Sequence, residues 1–215
     1  MNFPNAYKGV KKIFTAEIFA IVSLVLLLIC PILAVVLTKM TSDTGTAVVA
    51  LVSLIVLFAG LGLAVASFVV NLTGIVQAKK DEGRFYYALV FVIIPIIASI
   101  FVAIFSQNTY VQNIANTINN VCEVMVMIYI IGGIRNLAEK LGDGKMVSSG
   151  NFALRVIITI YVLLLIARVT AIVFCFIPVM VVAAGIISII AGVLDVFVHI
   201  YYFFYLGRAV KMLKQ

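Results

Sequence analysis

Few residues in this chain could do chemistry, and most of them sit where charge is costly. Glu123, Arg168 and Asp195 each fall inside a long apolar run, and the single histidine, His199, follows Asp195 by four residues. A charge at the middle of a bilayer costs about 2.5–3.5 kcal/mol on insertion scales, so such groups face a bundle interior and find partners. Arginine can hold a carboxylate through two parallel donors. A buried Glu123–Arg168–Asp195 cluster is therefore expected, at depths of roughly 18, 24 and 16 Å from the basic helix ends. Two uses fit it: a substrate or ion site, or an ion network that keeps three helices in register. Asp195 and His199 share a helix face. They read as a proton relay, since histidine titrates near neutral pH, or as a satisfied polar pair.

A polar stripe precedes Glu123. Asn113, Asn116, Asn120 and Glu123 follow at steps of three, four and three, which places them on one helical face. Gln112, Thr117 and Asn119 widen it. The stripe predicts a water-accessible vestibule, open to the outside and floored by Glu123, or an interfacial segment that enters the membrane only near Val121. Glu17 is expected in the first turn of the first span, paired at the interface with Lys11 and Lys12 and favoured by the helix dipole.

Other chemistries find no residues. One histidine excludes a His-Glu-x-x-His zinc motif, and no Gly-x-Ser-x-Gly elbow occurs. Cys30, Cys122 and Cys175 have neither metal-ligand nor disulfide spacing, and are expected as free buried thiols. No metal, no cofactor and no enzymatic activity are expected. Asn71-Leu72-Thr73 matches a glycosylation acceptor, but at the end of a span, where it reads as chance.

The elements that must position these groups are membrane helices. The chain has 215 residues, 65% hydrophobic and 11% charged, against about 45–50% apolar in soluble domains. Apolar stretches of this length read as spans, and only helices satisfy their own backbone in lipid. Six are placed at about 17–38, 46–76, 85–106, 112–136, 152–175 and 178–206. The connection from Leu137 to Asn151 reads as a loop, with Ser149 or Asn151 capping the fifth helix. Thirteen of the 15 Lys and Arg lie at alternate junctions: Lys8, Lys11 and Lys12; Lys79, Lys80 and Arg84; Arg135, Lys140, Lys145 and Arg155; Arg208, Lys211 and Lys214. That pattern predicts both termini in the cytoplasm. It also accounts for the net charge of +7 without nucleic acid.

The fold class is thus all-α: a polytopic membrane protein of six helices in three hairpins, each a short ingoing and a long outgoing helix. The outgoing helices end on Gly74, Gly133 or Gly207 followed by basic residues. The pattern reads as a degenerate repeat, or as what any cytoplasmic helix end collects. Small residues at four-residue spacing predict close packing at Gly60 with Ala64, Gly62 with Ala66, and Ala184, Ser188 and Gly192. Pro31 and Pro95 are expected to kink their helices.

Six spans in about 200 residues, with Ala16 and Ala20 at small-xxx-small spacing in the first, are similar to the substrate-binding components of energy-coupling-factor vitamin transporters. That likeness implies docking on a shared transmembrane partner. The three-hairpin pattern and the lack of an aromatic substrate loop depart from that family, and the chain is not assigned to it. The expected function is a small-solute or ion permease, or the membrane subunit of a transporter with an energising partner. The alternative is a non-catalytic scaffold, assembly or lipid-contacting protein. A cell membrane, the bacterial cytoplasmic membrane by the compact design, is the expected location, with the lipid bilayer as the first partner.

Overall fold

Apolar residues in lipid gain nothing by leaving it, so helix pairing here must come from shape and from a few polar contacts. The computed structural model describes residues 2–39, 43–104, 109–175 and 181–214. Six helices run through them: α1 (Pro4–Lys39), α2 (Asp43–Ala78), α3 (Arg84–Ile104), α4 (Thr109–Lys140), α5 (Gly144–Cys175) and α6 (Val181–Leu213). All six are long and apolar enough to cross a membrane. The chain is an all-α polytopic protein. The heaviest packing is within the pairs α1–α2, α3–α4 and α5–α6, and lighter contacts join α2 to α3, α4 to α5, and α6 back to α1. The three hairpins thus close into a ring in chain order. Within it α4 is the most enclosed, with 61% of its apolar window buried against 6–22% in the others.

The alternation of short and long helices does not hold. α1 and α2 both have 36 residues and α5 has 32, leaving α3, with 21, as the short one. Two local causes account for this. α1 starts at Pro4, whose missing N–H is tolerated in a first turn, and carries its lysines on helix. α5 starts at Gly144, so Ser148, Ser149 and Gly150 are helical rather than loop. The turn before α5 is tight: Gly142 adopts φ +73° and the Asp143 amide donates to the Ala138 carbonyl at 2.9 Å. Asp143 then caps α5, accepting from the Met146 amide at 3.0 Å. Gly150 is a packing residue, because a Cβ there would lie 2.9 Å from the Tyr205 hydroxyl and 3.2 Å from Arg135 Cβ.

The core sits toward the basic helix ends. There Val10, Ile13, Ile75, Phe85, Ile131, Ile134, Leu137, Ile157 and Leu206 are buried. Gly9 and Gly74 let α1 and α2 cross backbone to backbone: a Cβ on Gly9 would stand 2.5 Å from the Gly74 carbonyl, and one on Gly74 2.8 Å from the Gly9 carbonyl. On Gly133 a Cβ would meet the Phe85 ring at 2.8 Å. Ser67 donates to the Ala16 carbonyl at 2.7 Å and Ser23 to the Gly60 carbonyl at 2.8 Å. Ala16 is buried against α2, so that end of its small-residue pair is not a free docking face. Gly60 abuts Leu27, with a would-be Cβ at 3.0 Å, whereas Gly62 and Gly192 meet nothing within 4 Å. Ala64 and Ala66 are half-buried, and the side chains of Ala184 and Ser188 lie outside the described residues.

The α2–α3 turn fastens this end. Asp81 accepts from Asn5 Nδ2 at 3.0 Å and from the Ala6 amide at 2.7 Å, capping α1 from this turn. Glu82 accepts from Lys140 Nζ at 2.6 Å and from Asn136 Nδ2 at 3.3 Å, holding the end of α4. Burial alone would raise the Glu82 carboxyl, but the Lys140 ammonium and the Asn136 amide outweigh it and hold the group below the usual carboxylate range.

A polar cavity inside the helix ring

Just beyond the packed core, five helices line an open cavity of about 330 Å³. α1 contributes Glu17, α2 Phe68 and Asn71, and α3 Phe91, Val92 and Pro95. From α4 come Asn119, Glu123, Val126 and Met127, and from α6 His199 and Tyr202. Counted from the nearest flanking cations, Glu17 lies about 8 Å in, Asn71 about 12 Å, His199 about 14 Å and Glu123 about 18 Å. The half-thickness of a bilayer core is about 15 Å, so these groups form one band within the membrane.

Each arrives there for a local reason. Asn119 and Glu123 are four residues apart and share a face of α4. His199 and Tyr202, three apart, do the same on α6. Glu17 faces inward because Ile13 and Ala16 beside it are packed against α2. Pro95 lacks an N–H, which leaves the Phe91 carbonyl, four residues earlier, without its helical donor at the cavity wall.

The polar inventory is rich in acceptors. His199 Nε2 stands 3.5 Å from Glu123 Oε1, and the Glu123 side chain is 49% accessible although it lies in the middle of a span. Glu17 takes no hydrogen bond or ion pair from any described residue. Asn71 Oδ1 and Asn119 Oδ1 are buried and accept no hydrogen bond among the described residues. A buried acceptor left unpaired costs about 1–3 kcal/mol. Two carboxylates, two amides and one imidazole thus line one space.

The expected Glu123–Arg168–Asp195 cluster falls only partly within the described residues. The described partner of Glu123 is His199, from α6. Asp195 lies one turn farther along α6, does not line the cavity, and makes no hydrogen bond or ion pair with a described residue. The described contact of His199 is with Glu123 rather than with Asp195. α5 gives the cavity no described residue, and the Arg168 side chain lies outside the described residues.

The stripe on α4 divides as well. Asn119, rather than Asn120, shares the cavity with Glu123. Asn120 turns to a cleft of about 70 Å³ against Tyr161, Leu164 and Val169 of α5. Asn116 is exposed two turns beyond Glu123, about 20° from it around the helix. The Asn113 side chain lies outside the described residues. Glu17 and Asn71 are the residues that sequence reasoning placed elsewhere, at the interface and as a chance acceptor. Their signal was a polar side chain more than one helical turn from the nearest flanking lysine. Among the described residues no cluster of metal-ligating side chains occurs. Cys30 and Cys122 are free thiols.

No family model, no curated protein and no solved structure matches the chain.

Proposed function

We propose that this protein is a small-solute or ion permease of a cell membrane, or the membrane subunit of one, and that the cavity among α1, α2, α3, α4 and α6 is its binding site. One observation carries the reading: Glu17 and the Glu123–His199 pair converge on a common cavity inside a ring of membrane-spanning helices. A packed bundle has no need of such a space. Ionisable groups within a membrane mark solute, ion or proton pathways, and midplane sites between hairpins suit helix rocking. The packed end, with its lysines and arginines, faces the cytoplasm by the positive-inside rule. Exposed Lys8, Lys11, Lys145, Arg208 and Lys211 there lie against anionic headgroups. The bacterial cytoplasmic membrane fits the compact design, and the protein itself is non-catalytic.

The test is water access. In a background of Cys30→Ala, Cys122→Ala and Cys175→Ala, Asn71→Cys and Asn119→Cys should react with a small charged thiol reagent about tenfold faster or more than Phe58→Cys, which faces lipid. Equal, negligible labelling at all three positions would remove the cavity as an aqueous site.

A scaffold reading draws on Gly62 and Gly192, which lie on the surface with open space before them and could receive a helix of another protein. It requires a stoichiometric partner in mild detergent that is lost in Gly62→Leu.

A further inference from the structure

Independently of any transport role, we infer that the groove between the first turns of α5 and the last turns of α6 binds the phosphate of an anionic lipid headgroup. The groove has a volume of about 340 Å³, with Lys145 and Ser149 lining it from α5 and Arg208 and Lys211 from α6. Each pair shares one face of its helix, at spacings of four and three. Met146 and Met212, both buried, complete an apolar floor.

Three features converge on that ligand. The first is charge. Lys145, Arg208 and Lys211 are exposed and make no hydrogen bond or ion pair with any described residue. The one carboxylate in the lining, Asp143, has an oxygen committed to the Met146 amide. Three cations against one carboxylate leave the groove positive, and an anion placed among them relieves their mutual repulsion. The helix dipole accounts for Lys211 in the last turn of α6, but it disfavours Lys145 in the first turn of α5. A bound anion offsets that placement.

The second feature is donor geometry. A guanidinium holds two phosphate oxygens through parallel N–H donors. The ammonium of Lys145 and the hydroxyl of Ser149 add donors from the facing helix. The Met146 and Val147 amides are already taken by Asp143, so the anion is held by side chains of two helices rather than by a helix N-terminus. The third feature is depth. The spans of α5 and α6 meet the interface near Phe152 and Leu206. Ser149 and Arg208 stand about 3–5 Å beyond those points, and Lys145 and Lys211 about 8–11 Å. The headgroup layer on each side of the hydrocarbon core is about 5–8 Å deep, so a lipid phosphate reaches the groove while its chains stay in the core.

The experiment uses the full chain in phosphatidylcholine nanodiscs, alone, with a minor fraction of phosphatidylglycerol, or with the same fraction of oleate. Inorganic phosphate added to the pure phosphatidylcholine discs tests the free anion. The readout is acylation of each lysine by a water-soluble amine reagent, resolved by mass spectrometry. Phosphatidylglycerol should slow the reaction of Lys145 and Lys211 about fivefold or more. Lys80, an exposed lysine of the α2–α3 turn, should change less than about twofold. Arg208→Gln, at an exposed position, should cut the protection of Lys145 to less than about twofold. Oleate, whose carboxylate sits below the phosphate level, should protect neither lysine of the groove. Equal protection by oleate would overturn the phosphate class. Protection by inorganic phosphate without phosphatidylglycerol would overturn the lipid as its source. Equal slowing of Lys80 would show a diffuse surface potential and overturn the site, as would full protection in Arg208→Gln or none in wild type.

Discussion

The two ends of this helix ring are built differently. At the basic end glycines bring backbones together, an acidic turn ties three helices, and aromatic rings stack: Phe14 on Phe203 at 4.9 Å between two hairpins, and Tyr87 and Phe91 both on Tyr129 within one. At the opposite end the described residues are mostly exposed, including Ile32, Val35, Leu51, Ile104, Ile166, Val182 and Ile189. Hydrophobicity does not explain the difference, because both halves are strongly apolar. In lipid an apolar side chain gains nothing by burial, so packing follows close approach and hydrogen bonding. Among the described residues the basic end supplies most of both. The cavity lies at the boundary, where Asn71 Oδ1 and Asn119 Oδ1 are buried without a described donor.

That contrast can be broken from the packed side first. Gly74→Ala puts a Cβ 2.8 Å from the Gly9 carbonyl, and backbone cannot yield as a side-chain tip can. A loss of about 3 kcal/mol is expected, read as a lowered unfolding midpoint in detergent. A wild-type midpoint would show that the crossing is looser than its geometry. Asp81→Ala removes the cap of α1 from the α2–α3 turn and should cost about 1–2 kcal/mol. Amide exchange should rise at Asn5 and Ala6 and stay unchanged in the open half.

Glu82→Gln should cost about 1 kcal/mol at pH 7, since Lys140 can turn to water and leaves no stranded charge. Its pH dependence follows from the lowered carboxyl. The folded group titrates below its unfolded value of about 4.3, so its contribution is complete above that value and is lost as pH falls through the folded one. Wild type and Glu82→Gln should therefore converge as pH falls through the lowered folded value; a gap that stays constant into strong acid would contradict the pairing. The smallest effect belongs to the open side. Gly62→Ala, with nothing within 4 Å, should stay within about 0.5 kcal/mol of wild type. A large loss there would show that the open half is packed in the membrane by another chain.

Much of this architecture is legible in the residues. Six apolar runs and their paired connections follow from the solvent, which admits few alternatives for 20 or so apolar residues. The ends of α1 and α5 were less legible, because a glycine that seats a tyrosine and a glycine that makes a loop look alike in sequence. Gly150 belongs to the first kind and Gly142 to the second, and only the neighbours of each distinguish them.

The candidate site shows the same division. Sequence by itself determined that Glu123 and His199 lie within the membrane and that polar residues precede Glu123 on α4. Periodicity fixes which residues share a face of one helix, because the backbone geometry is the same in every helix. It cannot fix which faces of different helices meet. The choice of His199 over Asp195 as the described partner of Glu123, of Asn119 over Asn120, and the arrival of Glu17 and Asn71 in the same cavity were decided by how hairpins distant in the chain close into a ring. That closure depends on contacts between hairpins, such as Phe14 on Phe203 and Gly150 against Arg135, whose effect exists only once the neighbouring helix is in place.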